Sequence, residues 1–168
     1  PAPDRIIAAD ADIAGDPLDD WGLLPSQPDW AGGLRDRWTP GEEGAMARLR
    51  QFLEDGLDAY KDRRDFPADA VTSNLSPFLH IGDIGPRQVW HETVKTAGWS
   101  AATEKFLKEV VWREFAYHVS YHLPDLPEEP MYARFKAFPW EDDDRMLQCW
   151  QQGMTGYPMV DAGMRELW

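Results

Sequence analysis

Glu109, Trp112 and Arg113, with Ala116 and Tyr117 a turn further on, bring a carboxylate, a guanidinium and large aromatic faces into one stretch, FLKEVVWREFAYHVSYHLP. Such a set can stack on a planar ligand and hydrogen-bond to its edge. At about 100° per residue, Phe106, Glu109, Trp112, Arg113, Ala116 and Tyr117 fall on one arc of a helix. Leu107, Val111 and Phe115 form a ridge on roughly the opposite arc, the side expected to be core. Two readings of the mixed arc stand side by side. It is the wall of a binding site, or Glu109 and Arg113 are an exposed i,i+4 pair worth about 0.2–0.5 kcal/mol, with Trp112 at the edge of the core.

A second set lies in TSNLSPFLHIGDIGPRQVW, from Thr72 to Trp90. Thr72, Ser73 and Ser76 cluster three hydroxyls in a loop. Ser76-Pro77 reads as an N-cap followed by a first-turn proline, opening a short helix that Gly82 closes. Hydroxyls and free backbone N–H groups at a helix start make a ready anion site, although a Ser-Pro pair is also ordinary capping chemistry. Other chemistries lack their signatures: the sequence has no GxxxxGK, GxGxxG, HExxH or CxxC. His118 and His122 are spaced i,i+4 but have no evident third ligand, so they read as packing or surface residues and no metal is expected.

The elements that must carry these residues are helical. From Gly41 the apolar positions Met46, Leu49, Phe52 or Leu53, Leu57 and Tyr60 share a face, with Glu42 and Glu43 in the first turn. RRDFP ends that pattern. Gly85-Pro86 starts a further helix that Gly98 stops. Ser100 begins the helix through Phe106, which Pro124 ends. A proline-rich loop with Phe135, Phe138 and Trp140 follows. Asp142 to Asp144 cap a helix running to Gly153, and Pro158 opens another with Val160, Met164 and Leu167 on one face. Residues 1–40 carry prolines, glycines and no sustained period, so they read as a connector anchored by Trp21, Trp30 and Trp38. No stretch alternates with the period of a strand, and the fold class expected is all-α.

Composition bounds the function. Nine tryptophans in 168 residues exceed what a core needs, and stacking is the obvious use. A formal charge of −13 argues against the whole surface being a nucleic-acid footprint but leaves room for a local basic patch. The lone Cys149 excludes an internal disulfide framework. With no apolar run of membrane-spanning length and no signal segment, the reading is a soluble cytoplasmic protein. The first residue is not Met and the last falls inside an apparent helix, so the chain looks like a piece of something longer.

Three stretches, TSNLSPFLHIGDIGPRQVW, FLKEVVWREF and WQQGMTGYPMVDAGMRELW, in this order resemble the photolyase and cryptochrome flavoprotein family, most of all its bacterial members that repair cyclobutane pyrimidine dimers. The similarity runs from about Trp21 to the end. It implies an interdomain connector, residues 1–40, and the first half of the helical FAD-binding domain, residues 41–168. The family's α/β antenna domain, with any antenna pigment, and the second half of the helical domain would be absent.

The resemblance assigns roles. Tyr60, Thr72, Ser73, Leu75 and Ser76 match positions that contact folded FAD, chiefly its phosphates; Asn74 stands in the same loop where many relatives carry Arg. Phe106 matches an aromatic position on the FAD side, and Arg113 belongs to both the cofactor and the lesion sets. Glu109, Trp112 and Arg113, with Ala116 and Tyr117 beside them, match the wall of the cavity that receives damaged bases, Trp112 stacking and Glu109 hydrogen-bonding. Trp140 resembles the outermost tryptophan of an electron-transfer chain to the flavin. The implied activity is light-dependent repair of pyrimidine dimers in DNA by electron transfer from reduced FAD, in a protein that is monomeric at full length. Glu109 favours dimer repair over six-four repair, where relatives usually carry Gln. The alternative is a cryptochrome that binds FAD and signals without repair. Residues 1–168 alone are expected to hold FAD weakly or not at all and to repair nothing.

Overall fold

The computed structural model describes Arg5, residues 14–139 and residues 141–167. Among these residues the regular elements are helices: α1 Gly32–Arg37, α2 Glu42–Asp55, α3 Leu57–Arg63, α4 Ser76–Ile81, α5 Pro86–Ala97, α6 Ala101–His122, α7 Asp144–Gln151 and α8 Pro158–Leu167, with 3₁₀ turns at Leu18–Trp21 and Ala133–Ala137. None of these helices is long and apolar enough to cross a membrane. The chain divides into two compact units, Pro1–Trp112 and Arg113–Trp168.

The first unit is built on α2. Glu42 and Glu43 sit in its first turn, where the helix dipole favours acids. Its apolar face, Ala45, Leu49 and Phe52, packs with Leu57 and Tyr60 of α3, Leu75 and Phe78 around α4, Ile84, Val89 of α5, and Ala102, Phe106, Leu107 and Val110 of α6. Gly44 has no room for a side chain, since a Cβ there would lie 1.9 Å from the carbonyl oxygen of Thr39. The connector therefore crosses the first turn of α2 in direct contact. Trp38 then sets its ring edge-on against Phe78, at 5.7 Å between centroids. Trp21 and Trp30 do not serve as expected anchors; both are exposed, and of the three connector tryptophans only Trp38 packs against the core cluster. Asp83, in the turn between α4 and α5, accepts from the Gly41 N–H at 3.0 Å and ties the start of α2 to that turn.

Three further expectations change. The single helix from Gly41 to Tyr60 is interrupted at Gly56, where a Cβ would meet the Phe52 ring at 2.9 Å and the backbone leaves the α2 path. Ser76 is the first residue of α4 and not its cap; Leu75 holds the capping position at φ −88° with no side-chain hydrogen bond, and Pro77 sits where a missing N–H costs nothing. The ridge Leu107, Val111, Phe115 is not the core side of α6. Leu107 is buried, but Val111 and Phe115 are 52% and 50% exposed, and the buried stripe is Ala102, Thr103, Phe106, Leu107 and Val110. Apolar residues lie nearly all round α6, so spacing alone cannot choose the face. Ser100 does cap α6, its hydroxyl accepting from the Thr103 N–H at 3.1 Å.

In the second unit α7 and α8 form a hairpin organised by Asp161. Asp143 caps α7 by accepting from the N–H groups of Arg145 and Met146 at 2.9 and 3.0 Å. The buried Asp161 carboxylate accepts from the Thr155 N–H at 2.7 Å, the Thr155 hydroxyl at 2.6 Å and the Gly156 N–H at 3.0 Å. Gly153, at φ +63°, brings its backbone so close to α8 that a Cβ would lie 2.7 Å from the Asp161 carbonyl oxygen. Arg165 closes the turn by donating to the Gly153 carbonyl at 2.7 Å.

The Thr155 hydroxyl holds the Asp161 carboxyl below the usual carboxylate range, with the two backbone N–H groups and Arg165 adding to the effect against burial. An acid with a depressed folded pKa contributes stability above its unfolded value and loses it as pH falls through the folded value. Protection of the Thr155 and Gly156 amides, measured relative to their intrinsic exchange rates, is therefore expected to fall as pH drops below about 4. Asp161→Asn should exchange faster at neutral pH and show no such acid step.

Candidate functional site

In the first unit the charged residues converge on Glu109. Its Oε1 lies 2.5 Å from Nη1 of Arg64, just past the end of α3, and 3.7 Å from Nζ of Lys105 one turn earlier on α6. The same Arg64 nitrogen donates to the Tyr60 hydroxyl at 3.2 Å, and the guanidinium lies over the Tyr60 ring at 5.3 Å. Nε of the same guanidinium meets Asp65 at 3.4 Å. The Glu109 hydrogen bond raises the Arg64 pKa above its ordinary value, so the cation is permanent. Burial pushes the Tyr60 phenol up, Arg64 opposes the rise, and Glu109 and Asp65 add to it. The phenol therefore keeps its proton and, having accepted from Arg64, has that proton left to donate.

Tyr60 and Phe106 stand in the core, and each is more than nine-tenths buried. Phe52 joins them, 5.5 Å from Tyr60 and 4.6 Å from Phe106 between ring centroids, while Tyr60 and Phe106 are 5.6 Å apart. The back of Phe52 lines a cleft of about 390 Å³ that also meets Thr72, Ser73 and Asn74. Asn74 holds φ +52°, a conformation Asn tolerates better than most residues, and turns the loop there. Leu75 is buried beneath the loop, and Thr72 and Ser76 are exposed. The hydroxyls of Thr72, Ser73 and Ser76 have no partner among the described residues. One aromatic wall thus has the hydroxyl loop on one side and the Glu109–Arg64 pair on another.

Trp112, at the end of the first unit, is 63% exposed. In the second unit Arg113 donates to Glu114 at 2.8 Å and to the Tyr117 hydroxyl at 3.1 Å, and lies over the Tyr117 ring at 4.7 Å. Ala116 and Tyr117 are exposed. The rings of His118 and His122 approach to 4.4 Å, and no group of three or more metal-ligating side chains occurs among the described residues. Trp140 lies outside the described residues.

Sequence reasoning missed Arg64. It read RRDFP only as a helix end, and no local spacing links that arginine to Glu109. The signal available was a pair of arginines following an aromatic turn.

Residues 106–168 match the family described as the FAD binding domain of DNA photolyase. The fold and these residues are those of a helical FAD-binding domain. The deoxyribodipyrimidine photo-lyase of Agrobacterium fabrum is 49% identical over 153 residues, which are 90% of this chain and 32% of that protein. The crystal structure of a bacterial class III photolyase from Agrobacterium tumefaciens superposes with a TM-score of 0.84 at 46% identity, covering 96% of this chain and 34% of that one. A Synechocystis cryptochrome structure gives 0.70 at 32% identity over 77% of this chain and 28% of that one. The chain belongs to the photolyase and cryptochrome family, and it spans about a third of the length of these relatives.

The donor set fits FAD. A buried phenol with a proton to give and hydroxyls without partners are what phosphate oxygens require. Each hydroxyl offers a neutral donor at no charge cost to the loop.

The pair at Glu109 is part-exposed, so removing it changes stability modestly. Arg64→Ala is expected to cost about 1 kcal/mol or less. The phenol is the sharper reporter: Arg64→Ala should move its alkaline absorbance transition still higher, and Glu109→Gln should move it lower. Opposite signs in the two variants, read by ultraviolet titration, check the coupling.

Proposed function

We propose that this chain is the FAD-binding part of a deoxyribodipyrimidine photo-lyase, with residues 1–40 as connector and 41–168 as the first half of its helical domain. The enzyme repairs cyclobutane pyrimidine dimers in DNA. The observation that carries the reading is the Glu109 carboxylate, fixed by Arg64 one turn before an exposed Trp112. That arrangement matches the lesion wall of the family, and the higher identity to photolyases than to the cryptochrome structure supports repair over signalling.

Each residue has a task within this reading. Tyr60, Thr72, Ser73, Asn74, Leu75 and Ser76 hold the cofactor's phosphate side, and Phe106 and Arg113 contribute to the cofactor's surroundings. When bound and reduced, FAD supplies the light-driven electron that opens the dimer. Trp112 offers a face for the flipped lesion, which leaves the duplex cheaply because it is already badly stacked. Glu109 offers acceptor oxygens to the N–H edge of the bases, and Arg113, Ala116 and Tyr117 complete the lesion-facing set. Arg64 and Lys105 beside Glu109 offset its charge, which eases the approach of a polyanion to a chain of formal charge −13. Trp140 serves as the outer step of electron transfer to the flavin. A cytoplasmic location, a monomeric state and an antenna pigment on the family's N-terminal domain belong to the same proposal.

The decisive test is light-dependent loss of dimers from an irradiated oligonucleotide by the intact protein. Bound flavin with no repair would favour a cryptochrome. Trp112→Ala is expected to weaken binding to dimer-containing DNA by about 1–3 kcal/mol, the worth of one base stack, and to leave undamaged duplex nearly unchanged. Equal weakening on both would overturn the assignment of Trp112.

A further inference from the structure

The cleft beside the Thr72–Asn74 loop carries two guanidiniums that make no ion pair among the described residues. Among the described residues of the first unit, Arg35 is held by Asp29, Arg63 by Asp69 and Arg64 by Glu109, whereas Arg37, Arg48, Arg50 and Arg87 make no ion pair, and of these four only Arg37 and Arg48 line the cleft. Arg48 is held differently, by the Trp38 ring at 5.8 Å and by donation to Gln51 Oε1 at 3.3 Å. These contacts fix the head group without cancelling its charge. Arg37, at the end of α1, is exposed and has no acid partner among the described residues. Both line the cleft of about 390 Å³ with Thr72, Ser73 and Asn74, and Asp55 supplies the carboxylate on its wall. In a chain of formal charge −13 this is a local reversal of sign.

We propose that Arg37 and Arg48, with the Thr72 and Ser73 hydroxyls, form a seat for a diphosphate, that of the dinucleotide cofactor, and supply the positive charge that Asn74 does not. The inference rests on the reading that this loop meets the cofactor's phosphates. The chemistry is specific. A guanidinium offers a planar fork of N–H donors that fits phosphate oxygens, and two such forks match two anionic phosphates. The hydroxyls, unpartnered among the described residues, donate to the remaining oxygens. Asn74, turned at φ +52°, shapes the loop and brings no charge to it.

The test uses the intact protein stripped of flavin and titrated calorimetrically with inorganic pyrophosphate, FAD and riboflavin. The double variant Arg37→Gln, Arg48→Gln should bind pyrophosphate and FAD about 10- to 100-fold more weakly, the size of a lost charge-assisted contact. Riboflavin, which has no phosphate, should bind unchanged. The loss should shrink as salt is raised. Arg63→Gln makes the same kind of charge change away from the cleft and should leave all three ligands unaffected. If the loss of Arg48 from Trp38 disturbs folding, Arg37→Gln and Arg48→Lys carry the test, the first weakening pyrophosphate and the second, which keeps the charge but not the fork, weakening it less than Arg48→Gln. Unchanged pyrophosphate affinity in the double variant, or equal weakening by Arg63→Gln, would overturn the seat. Tight FAD binding that ignores both arginines would overturn it while leaving the flavin reading intact. Arginine-dependent pyrophosphate binding in a protein that takes no FAD would keep the seat and overturn the flavin reading.

Discussion

Phe52, Tyr60 and Phe106 pack their rings within 4.6 to 5.6 Å of one another, and through that contact α2, α3 and α6 become one body. Deleting such a ring costs about 3–5 kcal/mol, a large share of the 5–15 kcal/mol that keeps a domain folded. The three helices present different chemistry: α2 borders the cleft, α3 leads to Arg64, and α6 carries Glu109 and Trp112. Because one aromatic contact fixes all three, the distance between the hydroxyl loop and the carboxylate is set by core packing. A loop alone would leave it to fluctuate.

Charge follows a similar economy. The chain is acidic, yet Glu109 is met by Arg64 and Lys105, and the Asn74 loop faces Arg37 and Arg48. Exposed ion pairs contribute little to stability. Their value here lies in geometry: Arg64 joins α3 to α6 through Glu109 and holds the Tyr60 phenol at the same time. A basic footprint spread over the surface would be the expected signature of a nucleic-acid binder. In this chain Arg64 and Arg48 are partly buried and held by close partners, which makes their charge count for more than that of a solvated cation.

Helix ends were legible in the sequence because their causes are local. Ser100, Asp143, Pro86 and Pro158 act within a few residues of where they stand, and the structure has each at a helix start. The face of α6 was not legible. Val110, Val111, Phe115, Trp112 and Ala116 spread apolar residues over most of the circumference, so the buried stripe is decided by partners on α2 and α3 and not by period. The break at Gly56 depends on where the Phe52 ring falls, and the start of α4 on a turn at Asn74, neither of which spacing reveals. Glu109 and Trp112 were singled out as candidates by type and spacing. Arg64, the partner of Glu109, was not, because a contact between distant positions leaves no trace in a local pattern.

Asn74 shows how backbone shape and charge can be separated. Left-handed conformation costs an ordinary L-residue roughly 1–2 kcal/mol, and Asn is among the residues that bear it best. An Arg at this position would bring a cation to the loop but would also carry that cost at φ +52°. Placing the cations on α1 and α2 avoids the conflict. Helical backbone accepts arginine readily, and Trp38 and Gln51 orient Arg48 without an opposing acid. The loop can then be chosen for its turn and its hydroxyls, while the helices across the cleft supply the charge. Such a division predicts which changes the fold tolerates: side chains on α1 and α2 can vary in reach so long as a cation enters the cleft, whereas the turn at Asn74 is limited to residues that accept its backbone.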